Sequence, residues 1–333
     1  MQKVSIIIPC YNEQSTIRLL LDALHEQTFP LTDIEVVIAD GMSTDSTREE
    51  IAAFQVDHPD LVVRIVDNPL RSIPSAVNRA IESSRGEIIV RLDAHSKPYP
   101  DYVERCVTLL EENRGDNVGG VWEIHPGADT WVAKSIAVAA AHPLGVGDAM
   151  YRHAKHPAEV DTVPFGSFKR KLIERIGYFD ETLLTNEDYE FNARIRNAGG
   201  RIWLDPSIRS IYFARPSLVE LMKQYWRYGF WKWRMLNRYP NTLRWRQALP
   251  PTFVLSVIIL SLLSFPFPFV SLILTCELFI YLFILFLVGL QVGIRNQEPY
   301  HVIGLPLAIS VMHISWGSGF LWSILKSSNN KNG

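Results

Sequence analysis

The stretch "GEIIVRLDAH" ends an apolar run of Ile and Val in Asp93 and then His95, a carboxylate and an imidazole two residues apart. Such a pair could hold a divalent cation. A cation so held could bind a phosphate that a bare carboxylate would repel. The plainer alternative is a strand-end Asp that caps a turn beside a solvated His. A second acidic set, Glu187, Asp188 and Glu190, stands in "LLTNEDYEF". Thr185 or Asn186 could cap a helix there, with Glu187 and Asp188 in its first turn. The positive end of that helix favours ionised carboxylates. These acids could equally do no more than satisfy the helix dipole.

The elements that must position these groups follow from hydrophobic spacing. Val4–Pro9, Ile34–Asp40, Leu61–Asp67 and Gly86–Asp93 are short, nearly continuous apolar runs, the pattern of strands buried on both faces. Between them lie helical patterns: Glu13 to Gln27, a segment that Ser43 or Thr44 could cap, and "SIPSAVNRAIESS" with Pro74 in its first turn. Alternation of this kind predicts a parallel sheet with right-handed crossovers, and such sheets bind ligands beyond the carboxyl ends of their strands. Pro9, Asp40, Asp67 and Asp93 all stand at those ends. Neither GxGxxG nor GxxxxGK[ST] occurs, so dinucleotide and P-loop readings lose their main support.

The formal net charge of −2 and the lack of a global basic excess argue against a nucleic-acid partner. Cys10, Cys106 and Cys276 are far apart and form no CxxC or zinc spacing, which suits a reducing compartment. The apolar stretch before Pro9 is too short for a signal-peptide core, so the first domain is expected in the cytoplasm.

Four stretches in order resemble the glycosyltransferase family 2 enzymes, inverting sugar transferases with the GT-A fold. They are "SIIIPCYNE", "VVIADGMSTDST", "NRAIESSRGEIIVRLDAH" and "GYFDETLLTNEDYEFNARIRNAGGRIWLDP". The likeness covers about residues 3–235, and its nearest subgroup is the succinoglycan-type exopolysaccharide transferases, which carry a membrane tail. The resemblance implies an α/β, mixed and mostly parallel sheet with helices on both faces, a nucleotide-sugar donor, and Mg2+ or Mn2+ as cofactor. It implies a donor site of Pro9, Tyr11 against the nucleobase, Glu13 near the ribose, Asp40 accepting from the base, and Arg71 and Asn78 lining the pocket. Asp93 would face the ribose and the metal-bound diphosphate. His95 departs from the commoner Asp-x-Asp pattern, and imidazole suits Mn2+ better than Mg2+.

Inverting transfer needs a general base for the acceptor hydroxyl and charge neutralisation on the leaving diphosphate. The resemblance gives the base role to Asp188, with Glu187 as its rival. Gly166 would permit close approach to a ligand and Ser167 would bond a sugar hydroxyl, although a tight turn into a helix over 169–176 explains both equally. Gln224 and Arg227 resemble the family's Gln-x-x-Arg-Trp motif, with Tyr228 in place of Trp. That change implies one sugar per encounter rather than processive synthesis.

From Leu221 to Arg246 there are seven Lys or Arg, no acid, and Tyr225, Trp226, Tyr228, Trp231, Trp233 and Trp245 interleaved. This composition predicts an amphipathic interfacial region over 216–248, between a catalytic domain over 1–215 and a transmembrane region over 249–326. Leu249–Phe265, Phe269–Leu290 and His301–Leu325 are the candidate spans, two or three in number. A multi-pass protein of the inner (plasma) membrane follows, with the basic cluster on the cytoplasmic side; Lys326 and Lys331 would then lie on the far side. An acceptor that lives in the membrane, a polyprenyl-diphosphate-linked saccharide, fits this placement. The rival readings are transfer to a bare polyprenyl phosphate and a non-catalytic nucleotide-sugar-binding subunit.

Overall fold

The computed structural model describes residues 3–147, 149–242 and 244–329; Lys331 lies outside them, as do the side chains of Trp245 and Arg246. The chain forms two compact units, residues 1–123 with 150–212, and residues 124–149 with 213–333. Residues 124–149, which precede much of the expected catalytic domain, therefore group with the C-terminal helices.

In the first unit β1 (Val4–Cys10), β2 (Ile34–Asp40), β3 (Val62–Asp67) and β4 (Ile88–Arg91) pair in parallel, in the order β3-β2-β1-β4. Beyond β4 the sheet turns antiparallel. It continues through β8 (Ser167–Lys169), β6 (Asn117–His125), β9 (Ile202–Phe213) and β5 (Ser96–Pro98), while β7 (Ala158–Glu159) pairs with β9. Side chains alternate across the strands, so one register serves two cores. Ile6, Ile8, Val36 and Ile38 pack on α1 (Ile17–His25), α2 (Thr47–Asp57) and α4 (Tyr102–Glu111). Ile7, Val37 and Ile89 face α3 (Ile73–Ser83), α7 (Lys171–Ile176) and α8 (Glu187–Asn197).

Helix entries depart from expectation where side chains have other partners. Ser43 and Thr44 do not cap α2. Ser43 bonds Asp40, and the Thr44 N–H donates to Asn12 Oδ1 at 2.9 Å. Asp45 takes the capping role, accepting from the Thr47 N–H at 3.1 Å. Nor does Asn186 cap α8 through its side chain; it holds the N-cap position with φ of 66°, and Thr185 bonds only the Leu184 carbonyl. Ser72 does cap α3, accepting from the Ser75 N–H.

In the second unit α5 (Trp131–Ala141), the short turn α6 (Pro143–Val146), α9 (Leu218–Leu236), α11 (Phe269–Asn296) and α12 (His301–Asn329) share a core that includes Ile136, Leu221, Leu305 and Met312, while α10 (Trp245–Leu263) meets α12 at Gly317 through Pro250 and Val254. The aromatic-basic stretch is not one helix to residue 248. It stops at Leu236, and a 3-10 turn at Pro240–Thr242 precedes α10. α9 packs closely on α12: a Cβ at Gly229 or Gly319 would collide with the backbone carbonyl of Trp316 or Trp226. Lys232 is buried and donates to the Thr242 carbonyl at 3.0 Å, so it is not available to a headgroup. Among the described residues α11 and α12 are long and apolar enough to cross a membrane; the apolar part of α10 is shorter.

Candidate active site

The parallel register sets Cys10 beside Asp40 and Asp40 beside Asp67, so the strand ends form a row at one edge of the first unit. The loops after β1 and β2 are laced together above that row. The Asn12 N–H donates to Ser43 Oγ at 2.8 Å, the Glu13 N–H to Thr47 Oγ1 at 2.8 Å, and the Ser46 N–H to Gln14 Oε1 at 3.0 Å. Tyr11 projects here, 42% exposed, with the Arg71 guanidinium 5.6 Å from its ring centre. Gly41 lies beneath the ring, where a Cβ would press on Tyr11 Cδ2 at 3.1 Å. An exposed ring beside a cation is a surface on which a flat base can stack. Pro9 lies below it in β1, opposite Ala39.

Asp40 is fully buried and engaged. It accepts from Ser43 and, at 2.6 Å, from Arg48 Nε, while Arg48 Nη2 reaches Asp67 Oδ1 at 2.6 Å. A base N–H would share this carboxylate with Arg48, a residue that sequence spacing did not single out.

Asp93 stands two residues beyond β4, its side chain 26% exposed, with its carbonyl accepting from the Ser96 N–H at 2.9 Å. His95 Nδ1 lies 3.0 Å from Glu13 Oε1, so two sequence-predicted residues 82 positions apart meet here. Metal-ligating histidines are commonly held in this way, with a carboxylate on the second nitrogen. The Asp93 carboxylate and the His95 Nε2 could supply two ligands to a divalent ion, and diphosphate oxygens the rest, which is how Mg2+- and Mn2+-dependent phosphate sites are usually composed.

The group that joins the two acidic sets is Arg91. It lies on the same face of β4 as Ile89, toward α8, and is 5% exposed. Its Nη2 is 2.8 Å from Glu187 Oε1 and 3.4 Å from Asp93 Oδ1. Its Nε and Nη1 are buried without a hydrogen-bond partner among the described residues. Burial by itself would lower the guanidinium's proton affinity, but the charges of Glu187, Asp93 and Asp188 outweigh it and raise it instead. Glu187 is buried; burial raises its carboxyl pKa although Arg91 pulls it down. Asp188 is half-buried, and its Oδ1 accepts from the Tyr189 N–H at 2.7 Å. Burial raises Asp188 as well, Arg91 opposes this, and the Asp93 charge adds to the rise. The two acidic sets therefore act on each other across one site. Glu190 is excluded from it, being fully buried and paired with Arg194 at 2.6 Å.

Other sequence-predicted residues are engaged elsewhere. The Asn78 amide donates to the Phe179 carbonyl and to Glu181 Oε1, each at 2.9 Å, and its Oδ1 accepts from the Phe179 N–H at 2.9 Å. It thereby fixes the segment leading to α8 instead of presenting polar atoms to a nucleotide. Gly166 has an internal reason: a Cβ there would collide with the buried Asn117 amide. Ser167 is fully buried in β8 between Val90 and Val118, where it cannot reach a sugar without opening the sheet. Gln224 and Arg227 belong to α9 in the second unit, where Gln224 Nε2 donates to Tyr228 Oη at 3.1 Å and Arg227 is exposed.

Known proteins of similar sequence and shape can now be set beside this geometry. A transferase from Methanococcus voltae, named as a dolichyl N-acetyl-alpha-D-glucosaminyl phosphate 3-beta-D-2,3-diacetamido-2,3-dideoxy-beta-D-glucuronosyltransferase, is 28% identical over 336 residues, with 99% of each chain covered. The succinoglycan biosynthesis protein ExoA of Rhizobium meliloti is 29% identical over 322 residues, covering 96% of this chain and 94% of that one. Among solved structures, the mannosyltransferase PcManGT of Pyrobaculum calidifontis, in complex with GDP-Man and Mn2+, superposes with a TM-score of 0.61 at 21% identity, over 96% of this chain and 87% of that one. TarS 1-349 of S. aureus with UDP-GlcNAc gives 0.53 at 20% identity, over 72% of each. These likenesses show a GT-A-like fold. The family model "Glycosyl transferase family 2" matches residues 5–177, just over half of the sequence, and the chain belongs to that family.

Proposed function

We propose that the protein is a membrane-associated, inverting, metal-dependent glycosyltransferase. It moves a hexose from a nucleoside diphosphate, UDP as the first expectation, to a hydroxyl of a lipid-linked saccharide during polysaccharide assembly. The observation that carries this reading is Arg91, which ties the strand-end carboxylate Asp93 to the acidic first turn of α8. Tyr11 and Arg71 would hold the base, with Asp40 beneath. Asp93 and His95 would hold a divalent ion, which when bound neutralises charge on the departing diphosphate. Asp188 would accept the proton of the incoming hydroxyl as its oxygen attacks the anomeric carbon from the face opposite the leaving group. Of the two adjacent acids, Glu187 is closed in by Arg91, whereas Asp188 keeps access to solvent.

Support for the acceptor class comes from two relatives, one named for transfer to a dolichyl-linked sugar phosphate and one for succinoglycan biosynthesis. The apolar length of α11 and α12 supports a membrane location, with the catalytic unit on the cytoplasmic side of the inner membrane. The complex of a structural neighbour with GDP-Man and Mn2+ supports the choice of ion. Radiolabelled UDP-, GDP- and dTDP-sugars presented with membrane lipid extract should identify a donor, and the product should carry the inverted anomeric configuration. Asp188→Asn should abolish transfer and leave nucleotide binding nearly intact. Full activity in that variant, or a retained configuration, would dismiss this mechanism.

A further inference from the structure

A second constellation lies away from the donor edge. α1 ends at His25, α2 ends at Asp57 with His58 as its C-cap, and β3 begins at Val62. These points mark the end of the sheet where the strands begin, opposite to Asp40, Asp67 and Asp93. There His25 Nε2 lies 3.0 Å from Asp60 Oδ2 and 3.2 Å from Asp60 Oδ1. The rings of His25 and His58 stand 4.2 Å apart between centroids, and Phe54 backs both. One ligand atom from each of His25, His58 and Asp60 lies within 4.8 Å of the other two, the one such trio among the described residues.

We propose that His25, His58 and Asp60 bind a single divalent cation of the Zn2+ class, separate from any ion of the transfer reaction. Two imidazoles and a carboxylate form a donor set that Zn2+ takes with water as fourth ligand, at bond lengths of about 2.0–2.2 Å. Tetrahedral geometry at those lengths sets ligand atoms roughly 3.4 Å apart, close to the His25–Asp60 separation of 3.0 Å. The remaining adjustment falls on side chains with room to move: His25 is 30% and Asp60 58% exposed. The C-terminal ends of α1 and α2 both point here, and their carbonyl ends favour a cation. Pro59 between His58 and Asp60 restricts the connecting backbone, so less freedom is lost on binding. The neighbouring cation, Arg18, is already paired with Asp22 and Asp57 at 2.9 Å each and does not occupy the cluster.

An ion here would take the place of the His25–Asp60 hydrogen bond and would tie α1 to the connection between α2 and β3. Mg2+, which prefers oxygen ligands, would compete poorly. The test is a Zn2+ titration of the full chain in detergent with excess Mg2+, followed by calorimetry and by thermal melting. Wild type should bind one Zn2+ and should melt at a higher temperature. D60N and H58Q should each weaken that binding tenfold or more while the metal-free melting temperature stays nearly unchanged. Absence of Zn2+ binding in wild type, or equal affinity in the D60N/H58Q double variant, would overturn the proposal. None of these readouts depends on the transfer activity.

Discussion

Removing the charge of Arg91 should move the acid limb of the pH–rate profile. A general base must be ionised to act, and Asp188 already sits above the ordinary aspartate value because burial outweighs the pull of Arg91. An opposite charge within about 4–6 Å lowers a carboxyl by roughly 1–3 units. Loss of Arg91 should therefore move the acid limb to higher pH, and where the base is mostly protonated the rate should fall about tenfold for each pH unit. The single variant Arg91→Met also strands Glu187, now hydrogen-bonded at 2.8 Å, as an unpaired buried acid. Breaking a buried pair in this way costs about 3–5 kcal/mol and could unfold the domain. The double variant Arg91→Met/Glu187→Gln removes both charges and keeps the shape, so it is the protein to assay. Its kcat/KM, measured against pH with a fixed donor, should show the displaced limb and should recover at high pH. Arg91→Lys, which keeps the charge but loses the second contact, should fall between it and wild type. A folded double variant with the wild-type limb would refute the claim that Arg91 governs the base.

Two further pairings can be tested in the same manner. Glu13→Gln should weaken the hold on His95, raising the Mn2+ concentration for half-maximal rate about 10-fold and restoring most of the rate at saturating Mn2+; a loss that saturating ion does not repair would show that Glu13 acts elsewhere. Burial would raise the Glu35 carboxyl, but hydrogen bonds from Ser5 Oγ and the Arg85 N–H, and from Arg64 at 2.6 Å, hold it low. The stability it contributes is thus present above its unfolded value of about 4.3 and lost as pH falls through its lower folded value. Glu35→Gln should cost near the lower end of about 3–5 kcal/mol, because Arg64 reaches solvent, and denaturant melts across acid pH should lose that dependence.

The parallel half of the sheet was legible because its strands are short apolar runs with carboxylates at their ends; Ile34–Asp40 is a strand with the expected bounds. The antiparallel half was not: β5, β7 and β8 are two or three residues long and carry no period to detect, while Gly119 and Gly120 interrupt β6 and Asp205 and Pro206 interrupt β9. Site residues followed a similar divide. His95 and Glu13 stood out by type and position and do come together. Arg91 and Arg48 did not: Asp93 and Asp40 are near them in sequence, but Glu187 and Asp67, the partners that make each of them a bridge, are not, and no short motif records them. One signal was available for Arg91: a guanidinium inside a strand of Ile and Val is rarely buried without an acid to meet it. Asn78, Gly166 and Ser167 show the opposite case, because each also meets a need of the interior. Residue types that bind ligands also serve packing, and only three-dimensional neighbours distinguish the two.

The clamp of Asn78 on Phe179 and Glu181 couples the helix following the third strand to the approach of the acidic turn. Under the proposed function, donor site and proton acceptor would thus be anchored to a shared interior post. Peripheral loops could be exchanged, lengthened or redecorated to suit different acceptors while the distance between leaving group and base stays put. Diversification of sugar specificity in such an architecture needs no re-engineering of its reaction coordinate.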